Sequence, residues 1–293
     1  MSDNNKIIGI MKAWGAEDWI RPAIRQALEY CDEVAVIVAP FHQTLERFAD
    51  STYDICREYR DIRLIDFKTS KQYIGPATAE TLNHMLQTSP LHAVGNWIWI
   101  LDVDEFYTER TYKEIKSVIA SNQYNWIGAR TKIFYINMQY YLETIATWHY
   151  WRLIKIEDTG YRFKPAQNWS QPLERPHLLS RRNEMYHYNL LTNMDMRLAW
   201  WRIELAPGIT YPTKINWLKE IYLKYDLKNE DYWVIENLKL NGIKSPWLSV
   251  GWVPDENGKL LKYEGRHSKF IEEAGLPKIG DFREYYKSRG DKL

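Results

Sequence analysis

The amino-acid sequence predicts an α/β fold in which a mainly parallel sheet is flanked by helices. Short apolar runs alternate with amphipathic stretches through the first third of the chain. The run at residues 97–101, WIWIL, is apolar at every position, as strands buried on both faces are. Beyond residue 126 the sequence becomes aromatic and β-branched, which indicates a small antiparallel element.

Four strands are predicted in this first part, and a helical stretch follows each of the first three. The strands are residues 6–11, 33–38, 63–67 and 97–101, and the helical stretches are residues 19–29, 44–59 and 78–87. Residues 19–29, for example, place their apolar side chains on one helical face. Strands joined by helices of this length form right-handed crossovers, so we expect neighbouring strands to run parallel.

The second half of the chain is predicted to contain strands first and helices afterwards. The strands are residues 126–135, 148–156 and 161–163, with a turn at 158–160, and the helices are residues 194–204, 214–225 and 230–241. The last fifty residues contain many Gly and Pro residues. We therefore expect a domain over residues 1–205 and a C-terminal helical and irregular extension over residues 206–293 that packs on it.

Composition argues against several classes of function. The formal net charge is +1, so general binding to polyanions such as duplex nucleic acid is not favoured. The N-terminus lacks the pattern of a signal peptide, and no stretch approaches the roughly 20 apolar residues of a membrane span. Cys31 and Cys56 show no metal-binding spacing. We expect a cytoplasmic protein without a disulfide framework.

The apolar run WIWIL leads directly into three carboxylates, Asp102, Asp104 and Glu105. Open α/β sheets bind ligands at the carboxyl ends of their strands, so these side chains are expected at a ligand-binding edge. In extended backbone Asp102 and Asp104 would share a side, and Glu105 would face elsewhere. Such a pair suits Mg²⁺ or Mn²⁺, which can neutralise the charge of a departing diphosphate. Acidic residues also cap helices and form turns after strands, which is the alternative interpretation.

Several segments together resemble one family. They are WIWILDVDEF at residues 97–106, IIGIMKAWGAEDWIRPAI at 7–24, ATAETLNHML at 77–86, and the stretch from Tyr186 to Arg197. In order and spacing they resemble the glycosyltransferases with the GT-A fold, particularly the family 2-like enzymes. The likeness covers roughly residues 6–202. It implies a GT-A type, Rossmann-like sheet and a nucleotide-sugar donor.

The resemblance also implies which residues form the site. The donor would contact Lys12, Ala13, Asn83, Asp102, Val103 and Arg152, and the metal would be bound by Asp102, Asp104 and His187. Arg152 would pair with a phosphate or a carboxylate. His187 is a candidate third ligand because neutral imidazole binds Mn²⁺ well. His149, His177 and His267 are the competing histidines.

The sequence departs from the family at two places. An Asp-rich segment that holds the nucleobase is replaced by VAPFHQT at residues 38–44, so Asp66 is the candidate for the base contact, or else a turn residue. The catalytic base is expected in the loop at residues 165–176, where Glu174 is the nearest carboxylate. Ser170-Gln171 stand where relatives often have His-Glu. Either Glu174 serves as the base, or the activity is absent or different.

We therefore expect a metal-dependent glycosyltransferase of the hexosyltransferase type that inverts the anomeric centre. The donor would be a UDP- or GDP-sugar, and the acceptor a glycan or another molecule with a hydroxyl group; a nucleic-acid acceptor is not favoured. Two alternatives stay open. A sugar-phosphate nucleotidyltransferase would need a Gly-rich loop directly after the first strand, but residues 11–15 contain a single Gly. A non-catalytic carbohydrate-binding protein would account for the departures at Ala39 and Gln171.

Overall fold

The computed structural model describes residues 5–144, 150–164, 174–180, 184–204, 208, 215, 218–223, 252–253 and 261–290. The strands are β1 (Ile7–Ala13), β2 (Glu33–Val38), β3 (Arg63–Ile65), β4 (Trp97–Asp102), β5 (Glu105–Tyr107), β6 (Trp126–Ala129), β7 (Thr131–Tyr135), β8 (Asn137–Thr144), β9 (Tyr150–Lys155), β10 (Pro176–Leu178), β11 (Met185–His187), β12 (Trp252–Val253) and β13 (Leu261–Lys262). The helices are α1 (Glu17–Tyr30), α2 (Thr52–Arg57), α3 (Ile74–Gln87), α4 (Glu109–Ser121), α5 (Met194–Arg202), α6 (Lys269–Glu273) and α7 (Phe282–Ser288). Short 3₁₀ helices span Gln43–Phe48 and Leu276–Lys278, and a π-helical turn spans Leu218–Tyr222.

The first sheet has seven strands in the order β10-β6-β9-β4-β1-β2-β3. Strands β4, β1, β2 and β3 pair in parallel, as do β10 and β6. Strand β9 is antiparallel to both of its neighbours, β4 and β6, and so runs against the rest of the sheet. The predicted mainly parallel sheet flanked by helices is therefore confirmed.

Strand β4 is buried on both of its faces, as its apolar sequence predicts. Trp97 and Trp99 belong to the core beneath α1 and α4. Ile98 and Ile100 belong to the core on the opposite side, beneath α3. The alternation of side chains along the strand divides the run WIWIL between the two layers of helices.

The second sheet has the order β12-β8-β7-β11-β5, with β13 also paired to β8. It corresponds to the predicted antiparallel element, except that β11 and β7 pair in parallel. The prediction of one strand over 126–135 was wrong, because the chain changes sheets at Arg130 and forms β6 and β7. Residues 161–163 form no strand; the backbone of Phe163 instead bonds to the side chain of Asn83. The turn at 158–160 is confirmed by a bond from the Gly160 amide to the Asp158 carboxylate.

The predicted helix over 44–59 is divided into a 3₁₀ helix and α2. Asp50 lies between them, and its carboxylate accepts hydrogen bonds from the Thr52 amide and the Thr52 hydroxyl. It also accepts from the Glu17 amide at the start of α1. An aspartate that captures nearby amides in this way ends one helical segment and begins another.

Strand β5 is the edge strand of the second sheet, and a side chain covers its free edge. The Gln26 amide on α1 donates to the Glu105 carbonyl at 3.0 Å and accepts from the Tyr107 amide at 2.7 Å. Gln26 is buried. Its carboxamide therefore takes the place of a peptide group of a further strand and satisfies both backbone groups.

The described residues near the C-terminus, 261–290, pack on the earlier part of the chain. Phe282 stacks on Trp19 with ring centroids 5.9 Å apart, and its amide donates to the Ile136 carbonyl. The Trp19 indole also donates to the Tyr286 hydroxyl. The boundary at residues 205/206 stays a prediction. Of the predicted helix at 214–225, residues 215 and 218–223 are described, and Leu218–Tyr222 form a π-helical turn. All of the predicted helix at 230–241 lies outside the described residues. No described helix is long and apolar enough to cross a membrane.

Candidate functional site at the seam between the two sheets

The three carboxylates lie where the chain leaves the first sheet and enters the second, a place we call the seam. Strand β4 ends at Asp102, residues 103–104 form a turn, and β5 begins at Glu105. Strand β11 pairs with β5 so that His187 lies opposite Glu105. The expected extended backbone from Asp102 to Asp104 was wrong, because residues 103–104 form a turn. The expectation that Glu105 faces away from Asp102 was also wrong, because Arg152 contacts both side chains.

Arg152 on β9 closes the inner part of the seam. Its Nε donates to Glu105 Oε2 at 2.8 Å, and its Nη2 contacts both Glu105 Oε1 and Asp102 Oδ2, the latter at 2.8 Å. The Glu105 side chain is fully buried, whereas that of Asp102 is 39% exposed. Burial raises the pKa of Glu105 to about 7 although Arg152 opposes the shift. For Arg152, burial lowers the pKa, but Glu105 and Asp102 more than offset this and raise it above its usual value.

Asp104 lies in a more open group. His187 Nε2 is 3.5 Å from Asp104 Oδ1, and Arg197 Nη2 of α5 is 3.9 Å from Oδ2. Both separations exceed normal hydrogen-bond lengths. His187 is buried, and its Nδ1 has no hydrogen-bond partner among the described residues. Burial raises the pKa of Asp104, but His187 and then Arg197 outweigh it, so the net pKa is lowered.

Lys12 approaches the seam from β1, where it is the register partner of Asp102. Its amine donates to Thr78 Oγ1 at 3.4 Å and lies 4.8 Å from the centre of the Phe41 ring. Burial lowers the pKa of Lys12 to about 8, against the charge of Asp102, which raises it. Lys12, Arg152 and Arg197 together balance the three carboxylates of the seam.

A cavity of about 720 Å³ opens on the same edge of the sheet. Three chain segments line it: the 3₁₀ helix after β2 with His42, the start of α3 with Gln72 and Tyr73, and the end of α5 with Arg202 and Glu204. Helix α5 thus joins the cavity to the seam, because Arg197 lies one turn before these residues. Residues 38–44, which depart from the family pattern, supply His42, Gln43 and Thr44 to the lining.

A small apolar cluster fixes the walls of this cavity. Leu45, Ile74, Ala199 and Ile203 are buried together, with Trp14 packed against them. The loop after β1 reaches this cluster through Gly15, whose φ of 60° is in the left-handed region that favours glycine. The loops after β1, β2 and β3 and helix α5 are therefore held as one unit.

Two residues that were predicted to belong to the site, Glu174 and Asn83, lie away from the seam. Glu174 precedes β10, whose Pro176 pairs with Trp126 at the start of β6, so Glu174 lies at the amino edge of the sheet with Lys155 and Glu157. The prediction that Glu174 is the catalytic base was wrong for this reason. The carboxamide of Asn83 both donates to the Phe163 carbonyl and accepts from its amide, so it braces the loop after β9.

The competing histidines have other surroundings. His267 Nε2 donates to the Met138 carbonyl, and its Nδ1 shares a hydrogen bond with the Tyr188 hydroxyl. His177 lies 3.6 Å from Glu114. His149 lies outside the described residues. Asp66 is exposed after the edge strand β3, Ala13 is buried at the end of β1, and Val103 forms the turn of the seam.

The side chains around Asp104 fit a hard divalent cation. Octahedral ligands about 2.1 Å from such an ion lie about 3 Å apart when adjacent, which is close to the separation of Asp104 Oδ1 and His187 Nε2. Arg152 bonds to Oδ2 of Asp102, so the other carboxylate oxygen of Asp102 is not held by Arg152. Among the described residues, however, no group of three or more His, Cys, Asp or Glu side chains that could hold a metal is found.

Sequence reasoning missed Gln26 and Thr78 and gave Arg197 no role. A signal existed only for Arg197, which belongs to the segment that resembles the family. Gln26 is one of several polar residues of an amphipathic helix, and only the tertiary contact with β5 distinguishes it.

No protein-family model matches this chain, and no curated protein sequence matches it. Solved structures that are similar to it include S. aureus TarS, with 14% identity and a TM-score of 0.44 over 77% of this chain and 45% of that one. S. aureus TarS 1–349 in complex with UDP has 12% identity and a TM-score of 0.44, and TarS 1–349 has 13% and 0.39, each over 76% of both chains. This chain spans less than half of the first of these structures.

Proposed function

We propose that this protein is a glycosyltransferase that moves a sugar from a nucleoside-diphosphate sugar to an acceptor hydroxyl. The observation that supports this most is the pair formed by Asp104 and His187. The two side chains face each other at the carboxyl edge of the sheet, where α/β folds bind ligands, yet no hydrogen bond closes the gap between them. A cavity within the size range of small-molecule sites lies beside them.

The charges of the seam suit a diphosphate accompanied by a cation. Lys12, Arg152 and Arg197 balance Asp102, Asp104 and Glu105, so the site without ligand has little net charge. A nucleoside diphosphate would add at least about two negative charges, which calls for a further cation in a partly buried site. Arg197 and Lys12 would contact the phosphates, because neither closes a tight ion pair with its carboxylate.

We place Mg²⁺ or Mn²⁺ between Asp104 and His187, with the free oxygen of Asp102 as a further ligand. Carboxylate and imidazole are both donors that these ions accept. When bound, the ion would neutralise charge on the departing diphosphate. The residues of the chain orient it: Arg197 flanks the second oxygen of Asp104, and Lys12 stands opposite Asp102 in the sheet.

The nucleoside would occupy the cavity between the 3₁₀ helix, the start of α3 and the end of α5. Tyr73 and His42 offer ring faces there, and Thr44 and Gln43 offer hydrogen-bonding groups to a base. Asp66 stays a second proposal for the base contact. UDP and GDP are the nucleotides we expect, and a hexose is the sugar that the resemblance implies.

Inversion at the anomeric carbon is also part of the proposal. It needs a base that takes the proton from the acceptor hydroxyl. Glu174 lies on the wrong edge for this role. The anomeric configuration of the glycoside product, read by proton NMR and compared with that of the donor, decides between inversion and retention.

A thermal-shift experiment tests the proposal. UDP, GDP, CDP and dTDP, each with and without Mn²⁺, are added to the wild type and to Asp104→Asn. We expect one diphosphate to raise the melting temperature only with Mn²⁺, because ligand binding to the folded state stabilises it. The rise should vanish in Asp104→Asn, which removes the charge without changing the shape.

Glu174→Gln is the matched control, since it removes a carboxylate from the opposite edge of the sheet and should keep the full shift. Absence of any stabilisation by a diphosphate with Mn²⁺ would refute the proposal. Stabilisation by a triphosphate would favour a nucleotidyltransferase, and stabilisation by glycans alone would favour a carbohydrate-binding protein.

A further inference from the structure

Arg152 makes one more contact than its own burial requires. Its guanidinium already forms a two-bond pair with Glu105, which is complete in charge and geometry. The additional bond goes to Asp102, whose side chain is 39% exposed and could be solvated by water instead. The contact with Asp102 therefore does not serve to compensate a buried charge. Its effect is to fix where one oxygen of Asp102 points.

The backbone of β9 is irregular at this residue. Ile127 of β6 pairs with Leu153, but the next residue, Gly128, pairs with Trp151, so Arg152 falls between the two partners. The bulge shifts the alternation of the strand: Trp151 and Ile154 lie in one core, and Leu153 lies in the other. Bulges of this kind re-aim side chains and are frequent beside functional sites.

The two aspartates of the seam are held in different ways. Asp102 is bonded to a rigid guanidinium at 2.8 Å, whereas His187 Nε2 and Arg197 Nη2 lie 3.5 and 3.9 Å from the Asp104 oxygens. The ring of Tyr150 lies 5.0 Å from the Arg152 guanidinium and restricts it further. One carboxylate is thus fixed before a ligand arrives, and the other is free to close on it.

We propose that Arg152 is a positioning residue: the bulge of β9 aims it at the seam, where it holds Asp102 with one oxygen turned away from Arg152 and available to a ligand. Arg152 does not contact the ligand itself in this arrangement. The consequence for binding rests on the proposed function, because it is read from nucleotide affinity. The consequence for the position of Asp102 does not depend on it.

The test separates positioning from stability. Arg152→Met alone leaves Glu105 buried and unpaired, so its melting temperature should fall by about 10 °C, whichever role Arg152 has. The double variant Arg152→Met/Glu105→Leu removes the buried pair as a whole, which is often neutral for stability. We expect its melting temperature to return close to that of the wild type. Its affinity for UDP or GDP with Mn²⁺, by calorimetry, should stay about 100-fold weaker, since a misplaced ligand group is costly.

Arg152→Lys is the conservative rescue, and it should recover part of the affinity because it keeps the charge without the planar fork. Arg63→Lys is the control, since Arg63 makes a comparable ion pair with Glu33 at the amino edge. It should leave the affinity unchanged. Wild-type affinity in a double variant of restored stability would overturn the inference.

A crystal structure of the double variant gives a second, independent result. We expect the Asp102 carboxylate to leave its position in the wild type. A carboxylate that stays in place without Arg152 would overturn the inference. If neither nucleotide binds the wild type, the proposed function fails, and the position of Asp102 alone decides the role of Arg152.

Discussion

Lys12 should make the proposed nucleotide binding at the seam sensitive to pH. Burial lowers the pKa of its amine to about 8, so the amine is charged below that pH and neutral above it. If Lys12 contacts the diphosphate, affinity for UDP or GDP with Mn²⁺ should fall as the pH rises through about 8. Calorimetry from about pH 7 to about pH 9 measures this. Lys12→Arg stays charged throughout and should show no such fall.

The same pKa has the opposite effect on the stability of the protein without ligand. Between about 8 and the ordinary value of 10.5, the unfolded chain binds more protons at Lys12 than the folded one does. The free energy of unfolding should therefore rise with pH across this window. For the binding prediction, a nucleotide affinity of the wild type that stays constant from about pH 7 to about pH 9 would show that Lys12 does not contact the phosphates.

At the scale of the residue, the sequence predicts where the carboxylates of the seam lie better than it predicts the directions of their side chains. The apolar run before Asp102 is a local signal, so the rule that ligands bind at strand ends places the carboxylates correctly. Their directions depend on the turn at 103–104 and on Arg152, which is 47 positions from Glu105 along the chain. Glu174 was misplaced because its edge is set by the pairing of β10 with β6.

The bulge in β9 depends on Gly128 in the neighbouring strand. A Cβ atom at Gly128 would lie 2.6 Å from Cε3 of the Trp151 ring, so the ring would have to move. We expect Gly128→Ala to lower the free energy of unfolding by about 1–3 kcal/mol, as overpacking does. Because Trp151 precedes Arg152, nucleotide affinity should fall as well. Urea titration and calorimetry measure the two effects.

Gly280→Ala is the control for this change, since a Cβ there meets nothing within 4 Å. Its stability and affinity should match those of the wild type. A fully stable Gly128→Ala protein would mean that Trp151 can shift without cost to the bulge.

The hydrogen bonds that Gln26 makes to the edge of β5 can also be tested by substitution. Gln26→Leu would leave the Glu105 carbonyl and the Tyr107 amide buried without partners, at a cost of about 1–3 kcal/mol for each group. The free energy of unfolding in urea should fall accordingly. Arg21→Ala on the exposed side of α1 removes only a surface pair with Glu58 and should change stability far less than Gln26→Leu does. Equal losses in the two variants would contradict the edge role of Gln26.

At the scale of the element, local periodicity was enough for α1, α3 and the strands β1, β2 and β4. It was not enough for β5, which has three residues and owes its pairing to β11. Helix α4 was missed although Thr108 caps it by accepting from the Thr111 amide. The bulge in β9 was not predictable, because it needs the small Gly128 of another strand beneath Trp151.

Across the whole molecule, aromatic packing fastens the C-terminal helix α7 to α1. Phe282 is fully buried against Trp19, whereas Arg289, which pairs with Asp18 and Glu17, is 40% exposed. Phe282→Ala should therefore lower the free energy of unfolding by about 3–5 kcal/mol. Arg289→Ala should lower it by less than about 1 kcal/mol, as exposed ion pairs contribute little. Urea unfolding followed by tryptophan fluorescence measures both, and a larger loss for Arg289→Ala would reverse this ranking.

The seam also sets the order in which the candidate site can assemble during folding. The partners of Glu105 are remote in the chain: Gln26 precedes it by 79 positions, and Arg152 follows it by 47. Contacts between distant segments form slowly, because the loop between them must close first. The parallel pairs β1 with β2 and β2 with β3 involve shorter separations and can form earlier. A nascent chain would therefore form the three strands β1, β2 and β3 of its first sheet well before it could bind a ligand at the seam.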